Sequence, residues 1–284
     1  MIIPPIKSQG IKTKLVSWIN DLILSSGLNK NACWIEPFFG TGVVGFNSIL
    51  NGDYIVGDTN PYIINLYKAI QNGTVTSNSM RKYLEQESMM LNSDGYEYFL
   101  KVRERFNCEH NIYDFIFLSR AGFNGMMRFN SKGKWNVPFC KKPNRFSPSY
   151  ITKICNQVSN VSDLINCKNW QFYNLPFTDL IEQADSNDII YCDPPYYGRY
   201  SDYFNSWTES NEETLYNLLK NTSAKFILST WHHNDYRENE MMKRYWNDFN
   251  VITKEHFYHN GGKMENRHTM IEALIFNFDI KHNL

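Results

Sequence analysis

No stretch of the 284 residues approaches the roughly 18 consecutive apolar residues that a membrane-spanning helix requires. The opening Met1-Ile2-Ile3-Pro4-Pro5 also lacks the long apolar core of a signal peptide. Together these absences lead to the expectation of a cytoplasmic protein with no membrane partner. The six cysteines, Cys33, Cys108, Cys140, Cys155, Cys167 and Cys192, never fall at Cys-x-x-Cys spacing, so neither disulfides nor a zinc site is expected. Histidines offer no other metal site. His232 and His233 are adjacent and point different ways, and His256, His259 and His268, near a Gly-Gly turn, have no Asp or Glu at ligand spacing. Repeats and low-complexity tracts are missing too, which leaves a globular chain long enough for one large domain and a smaller insertion.

The most informative shortage is local. Basic and acidic residues balance at 29 each, which by itself gives no sign of a polyanionic partner. Yet no acid occurs between Asp114 and Asp163, where Arg120, Arg128, Lys132, Lys134, Lys141, Lys142, Arg145 and Lys153 all fall. Such one-sided segregation is expected of a surface that meets nucleic acid.

What is present is best read outward from Tyr191-Cys192-Asp193-Pro194-Pro195-Tyr196-Tyr197, which follows the apolar run Asp188-Ile189-Ile190 and so sits at the end of a buried strand. Open α/β sheets carry their chemistry at that end. The residues suit the activation of a weakly nucleophilic nitrogen such as an adenine amino group, whose lone pair is delocalised into the ring. The Asp193 carboxylate and the Pro194 carbonyl can each accept an N–H and stabilise the positive charge that develops on the nitrogen. Pro194 and Pro195 fix φ and have no N–H to compete for these acceptors. Tyr196 offers a flat face for a base swung out of a duplex.

Upstream, a basic loop Lys7-Ser8-Gln9-Gly10-Ile11-Lys12 leads into a helix with Leu15, Ile19, Leu22 and Ile23 at helical spacing and Gly27 closing it. Strand Cys33–Glu36 then runs into Pro37-Phe38-Phe39-Gly40-Thr41-Gly42-Val43-Val44-Gly45, read as strand, Gly-rich turn and helix, with the helix N-terminus and the glycines open to a nucleotide-like ligand. Asp58, just past Tyr54-Ile55-Val56, is placed to accept hydrogen bonds from ribose hydroxyls. Gly40-x-Gly42-x-x-Gly45 formally matches a dinucleotide fingerprint, so a nicotinamide enzyme is an alternative. The Asp-Pro-Pro-Tyr turn and the basic segment have no evident use in hydride transfer.

Asn60 and Pro61 read as the cap and first residue of the next helix. From about 76 to 161 the βα rhythm breaks into helices, including Tyr113–Arg120, and a polar-aromatic stretch from Ala121 to Phe139 whose Asn130-Ser131-Lys132-Gly133 centre suggests a hairpin. Side chains on it, Asn124, Met126, Arg128, Asn130, Lys132, Lys134 and Asn136, are candidate DNA contacts, since Arg pairs bidentately with guanine. Lys141 and Lys142 suit phosphate. The βα pattern resumes after about 162 with strand Trp170–Asn174, a helix carrying Leu180 and Ile181, the central strand, strand Phe226–Thr230, a helix from Asp235 to Trp246, and strands near Val251–Phe257 and Met270–Phe276. The aromatic stretch Tyr197–Trp207 is expected to fold over the substrate.

With these residues in place the chain resembles the Dam-type (α-group) DNA adenine-N6 methyltransferases over nearly its whole length and in the family's order. The specific pieces are Glu36-Pro37-Phe38-Phe39-Gly40-x-Gly42, the run from Phe123-Asn124-Gly125 to Asn136-Val137-Pro138-Phe139, and Tyr191-Cys192-Asp193-Pro194-Pro195-Tyr196. The resemblance implies S-adenosyl-L-methionine as methyl donor. It assigns the donor pocket to Lys12, Glu36, Pro37, Phe38, Gly40, Gly42, Asp58, Phe177 and Asp193, the target adenine to Asp193, Pro194, Pro195 and Tyr196, and DNA bases to Lys7 and Arg128. Two positions depart from the family's pattern: Ser8 and Gly10-Ile11-Lys12 stand where Trp and Gly-Gly-Lys are usual, and Pro176 replaces the Asp before Phe177, so that either Asp179 substitutes or stacking holds the donor's adenine.

The expectation is therefore a doubly wound, mostly parallel Rossmann-like α/β methyltransferase domain (residues 1–75 and 162–284) with a mainly helical, hairpin-containing DNA-recognition insertion (76–161). It would methylate a flipped adenine in double-stranded DNA, with a cognate restriction endonuclease as a possible functional partner and no metal. An RNA adenine-N6 methyltransferase and a non-catalytic DNA-binding module of the same fold are the rivals.

Overall fold

The computed structural model describes residues 1–197, 207–257 and 269–280. Part of the aromatic stretch after Asp-Pro-Pro-Tyr, and His259, His268 and the Gly-Gly turn, lie outside the described residues. Seven strands form one sheet in the order β3-β2-β1-β4-β5-β7-β6. They are β1 (Cys33–Glu36), β2 (Tyr54–Gly57), β3 (Trp170–Tyr173), β4 (Asp188–Cys192), β5 (Lys225–Asn234), β6 (Asn250–Phe257) and β7 (Thr269–Phe276). The first five in that order pair in parallel, and β7 is antiparallel to both β5 and β6. Because β1 pairs with β2 on one side and β4 on the other, the chain reverses direction across the sheet there. That reversal opens a crevice at the carboxyl ends of β1 and β4. Ile189 to Cys192 are all buried, as a central parallel strand covered on both faces requires.

The helices are α1 (Val16–Ser26), α2 (Pro61–Gln71), α3 (Ser77–Glu109), α4 (Ile112–Ala121), α5 (Pro148–Cys167), α6 (Phe177–Glu182), α7 (Glu209–Asn221) and α8 (Glu240–Tyr245). Local chemistry explains their ends. Gly27 closes α1 at φ 65°, and the Asn60 side chain accepts the Tyr62 N–H with Pro61 in the first turn of α2. Inside α3, Gly95 (φ 54°, ψ −119°) breaks the helix into two arms. No helix among the described residues is long and apolar enough to cross a membrane.

Three elements differ from the sequence reading. The Gly-rich turn leads only into a three-residue 3-10 turn, Gly45–Asn47, rather than a helix. Gly40 (φ 51°) and Gly42 (φ 79°) wind the backbone back on itself, and a Cβ on Gly45 would stand 2.5 Å from Glu36 Oε2, so this stretch is packed by close approach instead of helical repeat. Helix α8 begins at Glu240 and not at Asp235, because β5 continues to Asn234 and turns there: Asn234 Oδ1 accepts the Tyr236 and Arg237 N–H groups, and Asn239 caps the helix. Helix α5 runs through residue 162, and α3 to α5 share one continuous apolar cluster with α2 and the sheet residues Trp34, Tyr54 and Val56. The segment 76–161 thus packs onto the same core as the sheet.

Candidate active site

The crevice holds a cavity of about 320 Å3 lined by the N-terminal loop, the β1 and β2 ends, Phe177, Asp193, Pro195 and Trp207. That lies in the range of small-molecule sites. Its floor comes from the Gly-rich turn. The Asp58 carboxylate, at the end of β2, accepts the Gly40 N–H on Oδ2 and the Asn60 N–H on Oδ1, both at 2.8 Å, and so ties that turn to the strand. Each oxygen retains a second lone pair for a ligand hydroxyl. Burial pushes the Asp58 carboxyl up from its ordinary range.

Glu36 is 1% exposed. Trp34 and Glu36, two apart on β1, face the same way, and the indole Nε1 donates to Glu36 Oε2 at 2.9 Å. The Gly45 N–H is a further donor, but burial dominates and drives the Glu36 carboxyl well above the ordinary glutamate value, with Asp193 and Asp58 adding to the rise. Glu36 and Pro37 line the cavity, as does Gly40. Gly42, expected among the donor-binding residues, does not. Its Cα faces Phe39 and Phe46, with Phe39 Cζ 2.5 Å from where a Cβ would stand, so its part is to shape the turn.

At the apolar end, Phe38 and Phe177 stack with centroids 5.2 Å apart, and Trp207 meets Phe38 edge-on at 5.5 Å. Phe177 opens the short α6 after Pro176, and both line the cavity. Asp179 does not, so this wall presents the stacked rings to the cavity.

Asp193 follows β4 directly. Two donors converge on its Oδ1: Lys12 Nζ at 2.8 Å and Ser229 Oγ at 2.9 Å, the serine lying on β5. Tyr191 donates to the same Ser229 Oγ at 3.1 Å from within the core. Asp193 itself lines the cavity. Burial raises the Asp193 carboxyl above its ordinary range, with Lys12 and Ser229 opposing the rise. Lys12, itself 6% exposed, also stands 4.7 Å over the Tyr196 ring. These contacts set Lys12 at the Asp193 end of the cavity. The Tyr196 hydroxyl donates to Glu272 Oε2 at 2.6 Å, which fixes the tilt of the ring. Pro194 is buried and Pro195 half-buried beside it.

Sequence reasoning missed Ser229 and Glu272, which hold Asp193 and Tyr196; it placed Trp207 only within the aromatic stretch expected to fold over the substrate, and Tyr191 only within the strand-end motif. Ser229 and Glu272 sit in apolar strands, and a polar residue inside such a strand was the signal available.

The acid-free segment divides. A hairpin turn closes where Asn130 N–H meets Lys134 O and Gly133 N–H meets Asn130 O. Asn130 spends its side-chain oxygen on the Lys132 and Lys134 N–H groups, and Asn136 Oδ1 accepts from Arg128 Nε at 2.8 Å. The side-chain carbonyl groups of both asparagines are thus engaged in building the hairpin. Asn124 is exposed at φ 54°, and Met126 is half-buried. Lys132, Lys134, Lys141 and Lys142 are exposed and make no ion pair among the described residues. Arg120, counted with them in the sequence, is core: it is 3% exposed and donates to the Pro4 and Pro5 carbonyls and to Gln157. Lys7 is half-buried beside Gly125, its ammonium pulled down by burial near Arg120 and Arg145.

A cavity ending at an Asp-Pro-Pro-Tyr carboxylate is accompanied by a family match over residues 8–260, to the D12 class N6 adenine-specific DNA methyltransferases. The chain belongs to that family. It is 30% identical over 208 residues to the DNA adenine methylase of Haemophilus influenzae, covering 67% of this chain and 68% of that one. With the DNA adenine methylase of Salmonella typhi it shares 30% over 175 residues and spans only 58% of that protein's length. With the Type II methyltransferase M.MjaIII of Methanocaldococcus jannaschii it shares 28% over 302 residues, 97% of this chain and 99% of that one. Among solved structures, the rRNA methyltransferase aviRa from Streptomyces viridochromogenes aligns at a TM-score of 0.40 with 8% identity over 94% of this chain and 85% of that one, too slight a likeness to bear on function.

Proposed function

We propose that this D12-class protein acts in the cytoplasm on duplex DNA, using S-adenosylmethionine to methylate the N6 amino group of an adenine swung out of the helix. The observation that carries the proposal is the Asp193 carboxylate, which lines the cavity and has its Oδ1 pinned by Lys12 and Ser229. The residues fit the donor. Phe38, Phe177 and Trp207 offer aromatic walls to an adenine ring, Asp58 retains lone pairs for ribose hydroxyls, and the backbone at Gly40 lies close to both. When bound, the donor supplies a methyl group on a positively charged sulfur.

The chain's part is positional and electrostatic. Asp193 Oδ2 accepts one amino hydrogen and the Pro194 carbonyl the other, which localises the nitrogen lone pair and offsets the positive charge growing there. Asp193 must be ionised for this, and Lys12 favours the ionised form. The adenine stacks on Tyr196, held by Glu272. Segment 76–161 is the proposed target-recognition part. Lys132, Lys134, Lys141 and Lys142 meet phosphates, and Arg128, braced by Asn136, reads a base. A restriction endonuclease recognising the same site would be a functional partner.

The test is to incubate the purified protein and S-adenosylmethionine with unmodified genomic DNA and map modified adenines by single-molecule sequencing. Methylation at one short sequence motif is expected. Transfer to RNA alone, or DNA binding with no transfer, would overturn the proposal.

A further inference from the structure

Glu212 is 5% exposed, and among the described residues no cation pairs with it. Each of its oxygens instead takes an indole N–H: Oε2 from Trp207 at 2.6 Å and Oε1 from Trp246 at 2.9 Å. Burial pushes its carboxyl up, and only these two hydrogen bonds oppose the rise. A buried carboxylate with two neutral donors is costly. An apolar side chain between two aromatic rings would stabilise a core more, so stability alone does not account for it.

The placement does. Thr208 caps α7 through a reciprocal capping box with Asn211, which makes Trp207 the residue before the cap and Glu212 the fourth residue of the helix. Side chains at these two positions meet in many helices as an apolar staple that fixes how the chain enters the helix. Here the staple is a directed hydrogen bond, which sets the rotation of the indole as well as its position. Trp246, fully buried beyond α8, anchors the other oxygen in the core. The ring so fixed lines the cavity and contacts both Phe38 and Phe177 at 5.5 Å.

We infer that Glu212 is a positioning residue for the methyl donor: by clamping the Trp207 indole to the buried Trp246, it holds the third wall of the aromatic slot. The inference rests on the reading of this cavity as the S-adenosylmethionine site. It predicts that Glu212 controls donor affinity through Trp207 while leaving DNA affinity and the chemical step alone.

The experiment measures S-adenosylhomocysteine binding by calorimetry for the parent, Glu212→Gln, Trp207→Phe and the double variant, together with KM for S-adenosylmethionine, kcat and duplex DNA affinity. Glu212→Gln keeps one acceptor oxygen and is expected to weaken S-adenosylhomocysteine about tenfold, the scale of one lost hydrogen bond to a charged group. The KM for the donor rises in step, while kcat at saturation and DNA affinity change by less than about twofold, within ordinary non-additivity. Trp207→Phe removes the indole N–H and is expected to cost a similar factor. In that background Glu212→Gln has little further effect. Equal losses from Glu212→Gln in both backgrounds, or a lowered melting temperature with unchanged affinity, would overturn the inference. Should Glu212→Gln not fold, Trp207→Phe with parental affinity overturns it equally. If the parent itself does not bind S-adenosylhomocysteine, the donor reading fails, a result distinct from binding by the parent that is indifferent to Glu212.

Discussion

On the proposed reading, Asp193 concentrates the chemistry in one side chain whose two oxygens have separate tasks. Oδ1 is held by Lys12 and Ser229, and the substrate meets Oδ2. Asp193→Asn places an amide where a charge is needed, and kcat is expected to fall by about two to three orders of magnitude, the scale of a lost electrostatic group in a transition state. Donor affinity by calorimetry is expected to stay near that of the parent; near-normal turnover in the variant would remove Asp193 from its role. The acid limb of the pH profile follows from the same geometry. Burial raises the Asp193 carboxyl and Lys12 lowers it, so the rate falls as pH drops through a value above the ordinary aspartate range. Lys12→Met is expected to move that limb to higher pH, because the lowering charge is gone while the burial remains. An acid limb unmoved in kcat/KM for DNA would show that another group titrates there.

Among the elements, the turn after β1 and the hairpin of the acid-free segment each do something their sequence pattern did not announce. The three glycines of the turn match a motif in which a helix follows, yet the third packs against Glu36 in place of a helix backbone. Gly45→Ala is therefore expected to destabilise the fold by about 1–3 kcal/mol, as overpacking does in a close-packed site, measurable by denaturant unfolding. A neutral result would mean that Glu36 can yield. In the hairpin, Arg128 and Asn136 form one unit. Arg128→Ala is expected to relax discrimination at a single base pair, worth about 1–3 kcal/mol for a bidentate contact with guanine. Asn136→Ala, which removes one brace of the arginine, is expected to relax the same position more weakly. Lys141→Ala with Lys142→Ala is expected to weaken all sequences alike and flatten the salt dependence of binding. Mapping methylated adenines with each variant separates these outcomes. A site profile for Arg128→Ala identical to the parent would confine Arg128 to bracing the hairpin.

At the scale of the whole molecule, Glu36, Glu212, Asp58 and Asp193 are all pushed above their ordinary values by burial. The folded chain thus holds protons that the unfolded chain releases. The stability contributed is complete below the ordinary carboxylate values and is lost as pH rises through the raised ones. The melting temperature is expected to fall as pH rises above the ordinary carboxylate range, and Glu36→Gln to flatten that fall; a slope unchanged in the variant would mean that Glu36 does not titrate on unfolding.

The strands and the Asp-Pro-Pro-Tyr turn were legible in the sequence because they depend on local order. A buried run of β-formers followed by two prolines has few conformations available, and Asn60-Pro61 or the Asn130 to Gly133 turn carry their geometry in adjacent residues. Membership of the methyltransferase family was legible for the same reason, through Glu36 to Gly42 and Tyr191 to Tyr196. What surrounds those residues was not. Ser229 and Glu272 reach Asp193 and Tyr196 across 36 and 76 positions, Glu212 reaches Trp246 across 34, and Arg120 turned out to be core because Pro4, Pro5 and Gln157 close over it. Such contacts are set by strand order and by how the helices pack on the sheet. A one-dimensional pattern can mark a residue as buried or charged, but only the folded chain decides which distant polar atom it meets there.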